Sequence, residues 1–235
     1  HNRLTEAALR FIADAARLQP VQALESLRLA KNRLGPPGGV ALRALLVEAR
    51  PPLQELDLAD NGLGDGACEV LCECLASSCK SLVGLSFAKN AIGDTPRAGA
   101  ALGSLVGSLE SLQALDLHWN RLHGAGASAL MRGLHDNACQ IEGRLWRVNL
   151  AWNRLGARCG ASKGGTDCKC EICKWCARVA SDLANVFDAG NVLFHLDLAY
   201  NNFCAEDCKV LAEGLRRNHT LFGLHFQGNE ATVDD

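Results

Sequence analysis

One pattern, Leu-x-x-Leu-x-Leu-x-x-Asn, occurs seven times along this 235-residue chain and constrains everything else about it. It runs from Leu24 to Asn32, Leu53 to Asn61, Leu82 to Asn90, Leu112 to Asn120, Leu145 to Asn153, Leu193 to Asn201 and Leu221 to Asn229, with conservative swaps. The asparagines are 29, 29, 30, 33, 48 and 28 residues apart. Repetition at a fixed period of this length is the signature of a solenoid, in which each unit buries its apolar face against the next.

The aliphatic positions of each unit are spaced as in a short strand whose side chains enter the core. The stretches between the strands, such as Gly39 to Leu46 and Asp207 to Leu215, carry apolar residues at helical spacing. One strand and one helix per unit of about 28 residues make the long form of the leucine-rich repeat. The pattern resembles the ribonuclease-inhibitor-like subfamily, a repeat type shared with Ran GTPase-activating proteins and innate-immune receptors. The resemblance covers nearly the whole chain, 1–235, as a single domain, from a truncated leading helix (Leu4 to Leu18) to a truncated last strand. It implies an α/β solenoid: curved, with a parallel β-sheet on the concave face and helices on the convex face. The Asn residues are expected to bond the backbone of their own and neighbouring turns. Because the chain starts at His1 and its one Met is Met131, we expect a piece of a longer protein.

Stacking turns each repeat position into a column with neighbours about 4.8 Å apart. The outward position between the paired leucines gives Arg28, Asp57, Ser86, Asp116, Asn149, Asp197 and His225. The position before the Asn gives Lys31, Asp60, Lys89, Trp119, Trp152, Tyr200 and Gly228. This second column is charged in its first three members and aromatic in the next three. Exposed aromatics in a row, with Asp116, Arg147, His195 and Asp197 beside them, have the composition of a protein-binding hot spot. Arg121 and Arg154, just past the Asn of adjacent repeats, are expected to rim it. Trp146 and Trp175 suit either core or surface.

Nothing in the chain argues for catalysis. His118 and His195 near Asp116 and Asp197 read better as a polar patch than as an acid/base pair, and the sequence holds no nucleophile elbow, P-loop or zincin motif. A net charge of −2 provides no basic field for nucleic acid. No apolar run reaches the roughly 18 residues needed to cross a bilayer.

Twelve cysteines complicate the picture. Cys68 and Cys72, like Cys204 and Cys208, sit four apart in helical patterns, where Cys serves as a small buried hydrophobe. Cys74 and Cys79 join the first pair as buried thiols in a reducing compartment. The long spacing between Asn153 and Asn201 leaves about 19 residues beyond one repeat, a Cys-rich insertion at 157–176 in the fifth unit. It holds Cys159, Cys168, Cys170, Cys173 and Cys176, followed by a helix beginning near Cys176. Ligand spacing on so small a loop suggests one structural zinc ion; disulfides, plain thiols and an iron–sulfur cluster are the alternatives.

The expectation is therefore a non-catalytic protein-protein interaction scaffold that binds through its concave face. Its role is structural or assembly-related in the cytoplasm, and the closing phrase His219 to Asn229 resembles repeat arrays of cytoskeletal or flagellar proteins. The resemblance also implies two alternatives: a GTPase regulator like the Ran GTPase-activating proteins, or the ligand-sensing repeats of an immune-type receptor.

Overall fold

The computed structural model describes residues 4–18, 23–141, 143–158, 170–189 and 192–230. Helices and strands alternate strictly: α1 (Glu6–Leu18), β1 (Ser26–Arg28), α2 (Gly35–Ala49), β2 (Glu55–Asp57), α3 (Gly64–Ser78), β3 (Gly84–Ser86), α4 (Pro96–Ser108), β4 (Ala114–Asp116), α5 (Gly124–Cys139), β5 (Arg147–Asn149), α6 (Glu171–Ala189), β6 (His195–Asp197), α7 (Ala205–Leu215) and β7 (Gly223–His225). The strands pair in chain order into one parallel sheet of seven. Register is constant, so Leu56 lies beside Leu85, Leu85 beside Leu115 and Leu115 beside Val148.

Each repeat motif converts directly into this geometry. Leu53, Leu56 and Leu58 of one unit are buried, as are Leu82, Leu85 and Phe87 of the next. The helices close the core from the other side with residues such as Leu42, Leu46, Leu71, Leu75, Leu102 and Leu130. A helix is about 10 Å wide whereas strands sit about 4.8 Å apart, so stacking such units curves the array with its sheet inward.

The asparagines satisfy the backbone where the chain leaves each strand. Asn90 Nδ2 donates to the Leu58 carbonyl of the preceding repeat and to Phe87 and Ala88 of its own. Its Oδ1 accepts from the backbone of Asn61 and Leu63. Asn61, Asn120, Asn153 and Asn201 repeat the scheme, which supplies partners for polar groups that no strand or helix serves.

The helix after the fifth repeat differs from the expectation. It begins at Glu171, so Cys173 and Cys176 lie within its first two turns and are buried. The reason is periodicity: Cys173, Cys176, Val179, Ala180 and Leu183 form one apolar stripe, in which the cysteines act as small hydrophobes. Cys204 and Cys208 also depart from the expected burial. Cys204 is the N-cap of α7 rather than a residue inside it, and both are half-buried. Cys68, Cys72, Cys74 and Cys79 are buried around α3, the first pair with sulfurs 3.8 Å apart. Past the Asn153 turn, Arg158 reaches forward to the buried Asp207 of α7 at 2.7 Å, tying the base of the insertion to the next repeat.

Candidate functional site

Six non-glycine residues before the repeat asparagines share a left-handed backbone: Lys31, Asp60, Lys89, Trp119, Trp152 and Tyr200, with φ between 54° and 61°. The column expected on the sheet face therefore lies on the turn that follows it, along the C-terminal edge of the strands. Each of these residues donates its N–H to the next repeat, Trp119 to Ala151, Trp152 to Ala199 and Tyr200 to Gln227. Those bonds hold a conformation that costs a bulky side chain about 1–2 kcal/mol. Gly, Asn or Asp would adopt it more readily.

The rings lie in a stack. Trp119 and Trp152 have centroids 4.7 Å apart and planes 21° from parallel; for Trp152 and Tyr200 the values are 4.0 Å and 17°. The spacing follows from the strand spacing, since equivalent atoms of neighbouring parallel strands repeat at about 4.8 Å. Lys89 closes one end with its ammonium 5.8 Å from the Trp119 ring centre. Gly228 closes the other, where a Cβ would collide with the Tyr200 ring. The three aromatics are 51%, 43% and 40% exposed, so their edges form an apolar ridge in water.

A second aromatic row was not visible from the motif alone. The residue after the first leucine of each repeat gives Trp146, Phe194 and Phe222 in the last three units, exposed along the N-terminal edge of the strands. Phe194 and Phe222 stack at 5.3 Å. The signal was present in the sequence, where this position reads Glu25, Gln54, Val83 and Gln113 before it turns aromatic. Trp146 is thus a surface residue, and Trp175 is half-buried on α6.

Between the two rows the sheet presents a polar floor. Arg147 and Asn149 of β5, His195 and Asp197 of β6 and His225 of β7 face outward in register. Burial, His225 and Arg147 all lower the affinity of His195 for a proton, against the pull of Asp197. Its Nδ1 is buried with no hydrogen-bond partner. Asp116, the last residue of β4, binds His118 two residues on, with Oδ1 2.7 Å from Nδ1. His118 and His195 thus bind different partners, Asp116 and His225. Arg121 turns away to Asp94 at 2.6 Å, and Arg154 is exposed past the ridge. Towards the N-terminal repeats the floor drops, because Gly84 and Ala114 carry little or no side chain. The shallow depression there is walled by Arg28, Glu55, Asp57, Asp116 and Arg147.

The candidate metal ligands divide. Cys159 and Cys168 lie outside the described residues. Cys170 precedes α6, and its carbonyl accepts the backbone N–H of Lys174. The Cys176 thiol donates to the Ala157 carbonyl at 2.7 Å. Burial, with Asp207 second, pushes it up to about 12, which favours the thiol over the thiolate that a metal requires. Among the described residues, no three His, Cys, Asp or Glu side chains are grouped to hold a metal ion.

Comparison with known proteins agrees with this architecture. A family model described as a leucine-rich repeat matches residues 22–42, 51–72 and 108–131. The ribonuclease inhibitor of Sus scrofa is 31% identical over 214 residues, covering 91% of this chain and 41% of the inhibitor. NACHT, LRR and PYD domains-containing protein 12 of Mus musculus is 26% identical over 251 residues, covering 92% of this chain and 23% of that protein. The chain thus spans less than half the length of these relatives. Among solved structures, the Caenorhabditis elegans tropomodulin C-terminal domain matches with a TM-score of 0.46 and 13% identity, over 88% of this chain and 92% of that one. No described helix is long and apolar enough to cross a membrane. The seven strand–helix units, their asparagine turns and the matching repeat model make the chain a leucine-rich repeat protein, similar over 91% of its length to ribonuclease inhibitor.

Proposed function

We propose that this chain is a non-catalytic binding scaffold that seats a protein partner on the C-terminal half of its sheet face, with Trp119, Trp152 and Tyr200 as the anchor. One observation carries the reading: three large aromatics occupy left-handed turn positions that the backbone would fill more cheaply with Gly, Asn or Asp, and hold their ring edges in water. A local rule broken in three successive repeats points to use rather than stability. Asp116, Arg147, His195 and Asp197 supply polar contacts beside the anchor, with Arg121 and Arg154 on its outer rim. Ribonuclease inhibitor, by its name, acts on another protein, which supports a protein as the partner class.

The test compares partners captured from cell lysate by the native chain and by W119A/W152A/Y200A, with folding checked by circular dichroism. Loss of a partner from the folded variant is expected; an unchanged set of partners overturns the reading. GTP hydrolysis measured with and without the chain tests the GTPase-regulator alternative. We place the scaffold in a reducing, cytoplasmic setting with an assembly role, a reading supported by the high thiol content. The zinc ion suggested by Cys159, Cys168, Cys170, Cys173 and Cys176 is a separate proposal. One equivalent of zinc in protein purified without chelator, lost when Cys170 and Cys173 are changed to Ala, supports it, and none refutes it.

A further inference from the structure

His195 and His225 come together by a route that the repeat pattern does not provide. In register, His195 opposes Gly223 and His225 opposes Asp197, so the two imidazoles start from diagonal positions on neighbouring strands. They meet because Gly223 has no side chain. A Cβ there would come within 2.7 Å of His195 Cδ2, which means that the His195 ring leans over the backbone of β7. The ring centres are 4.9 Å apart, the planes are tilted by 45°, and the two Nε2 atoms face each other at 3.1 Å.

We propose that His195 and His225 form a two-histidine site for a divalent transition-metal ion of the zinc class on the sheet face.

Metal–imidazole bonds of about 2.0–2.1 Å at a tetrahedral angle place two ligand nitrogens roughly 3.4 Å apart. The observed 3.1 Å needs an opening of only a few tenths of an ångström, and the exposed His225 ring is free to provide it. Without a metal, two facing Nε2 atoms can share just one proton. The resulting N–H···N bond uses only one of the two facing Nε2 lone pairs, and the buried His195 Nδ1 has no partner with or without an ion. With a metal, both Nε2 lone pairs become ligands and both protons sit on Nδ1. Imidazole is a suitable donor for zinc, copper or nickel, and water completes the coordination on the solvent side. Asp197, directly beside His225 on the paired strand, favours a cation there, while Arg147 on β5 opposes it.

The site shares His195 and Asp197 with the proposed partner surface and lies apart from the cysteine segment, so the experiment must read the histidines themselves. Zinc chloride is titrated into protein carrying 15N-labelled histidine, and the imidazole nitrogens are followed by NMR, with His195 and His225 assigned from H195Q and H225Q. The two Nε2 signals are expected to move together and saturate. H225Q should weaken the response of His195 roughly 10²-fold, the gain that joining two ligands supplies. G223A, which displaces the His195 ring, should weaken it as well. Two results would each overturn the proposal: His195 and His225 signals that stay put while zinc is taken up elsewhere, or a His195 response in H225Q equal to that of the native chain.

Discussion

Gly103 of α4 and Gly133 of α5 meet backbone to backbone, with no space for a methyl group between them: a Cβ on Gly133 would overlap the Gly103 carbonyl. Gly99 and Gly126 make the same approach a turn earlier. Two effects oppose each other on substitution. Alanine gains about 1 kcal/mol in helix propensity, but here the obstructing atoms are backbone and cannot swing aside. Overpacking therefore wins, and Gly133→Ala should destabilise by about 1–3 kcal/mol in urea unfolding. Gly66 of α3 is the control, since nothing lies within 4 Å of its added Cβ. Gly66→Ala should be neutral or stabilise by up to about 1 kcal/mol. If both variants lose stability equally, close packing is not the cause.

Asn90 supplies five buried hydrogen bonds to backbone groups of two repeats. Alanine at this position orphans donors and acceptors that have no water to turn to, each at a cost of about 1–3 kcal/mol before relaxation. Asn90→Ala is expected to lower stability by about 3–5 kcal/mol, near the upper end for point changes. Asn229, half-buried in the last repeat, should cost less. Equal losses at the two sites, measured by denaturant titration, would contradict the ladder argument.

The repeat was legible because every core and turn position recurs, so seven weak signals add into one strong one. Solvent exposure of Trp119, Trp152 and Tyr200 followed from the same register. Their left-handed backbone did not, because Trp and Tyr are poor residues for that conformation and only the bonds to Ala151, Ala199 and Gln227 hold it. The Phe194 and Phe222 row is weakly marked in the sequence because its column turns aromatic only in the last units. The early start of helix α6 is hard to see in the sequence because the apolar stripe that Cys173 and Cys176 begin has the same spacing as a set of metal ligands. The histidine pair depends on a missing side chain at Gly223, and a diagonal contact of that kind has no signature in the motif.

Trp152 sits between two rings, so its removal separates binding from folding. The stack contributes about 0.5–1.5 kcal/mol per aromatic pair, and replacing Trp152 also relieves unfavourable backbone strain if the new residue is Asn. Trp152→Asn should therefore change stability by no more than about 1 kcal/mol while weakening partner capture strongly. A Trp152/Tyr200 double-mutant cycle should show favourable coupling, and Trp fluorescence should report the unstacking. A variant that loses several kcal/mol would make the ridge a structural element first.

The thiols of Cys79 and Cys208 provide a pH dependence with a definite sign. Burial, with the neighbouring Cys74 second, pushes Cys79 from the usual 9.0 up to about 11. Burial also raises Cys208 to about 11, with Asp207 and Cys204 adding to it. The folded chain thus holds protons that the unfolded chain releases near pH 9.0. Where the native state binds more protons, stability falls as pH rises. The contribution is complete below pH 9.0 and declines up to about 11, where the folded thiols ionise as well. Urea midpoints measured in reducing buffer should be flat in these thiols near neutrality and drop across that alkaline window. Cys79→Ala, which keeps an apolar side chain and removes the titrating group, should start from a lower midpoint and fall less steeply. A native chain whose midpoint stays level through pH 11, or an alanine variant with the same slope, would show that these thiols ionise alike in the folded and unfolded states.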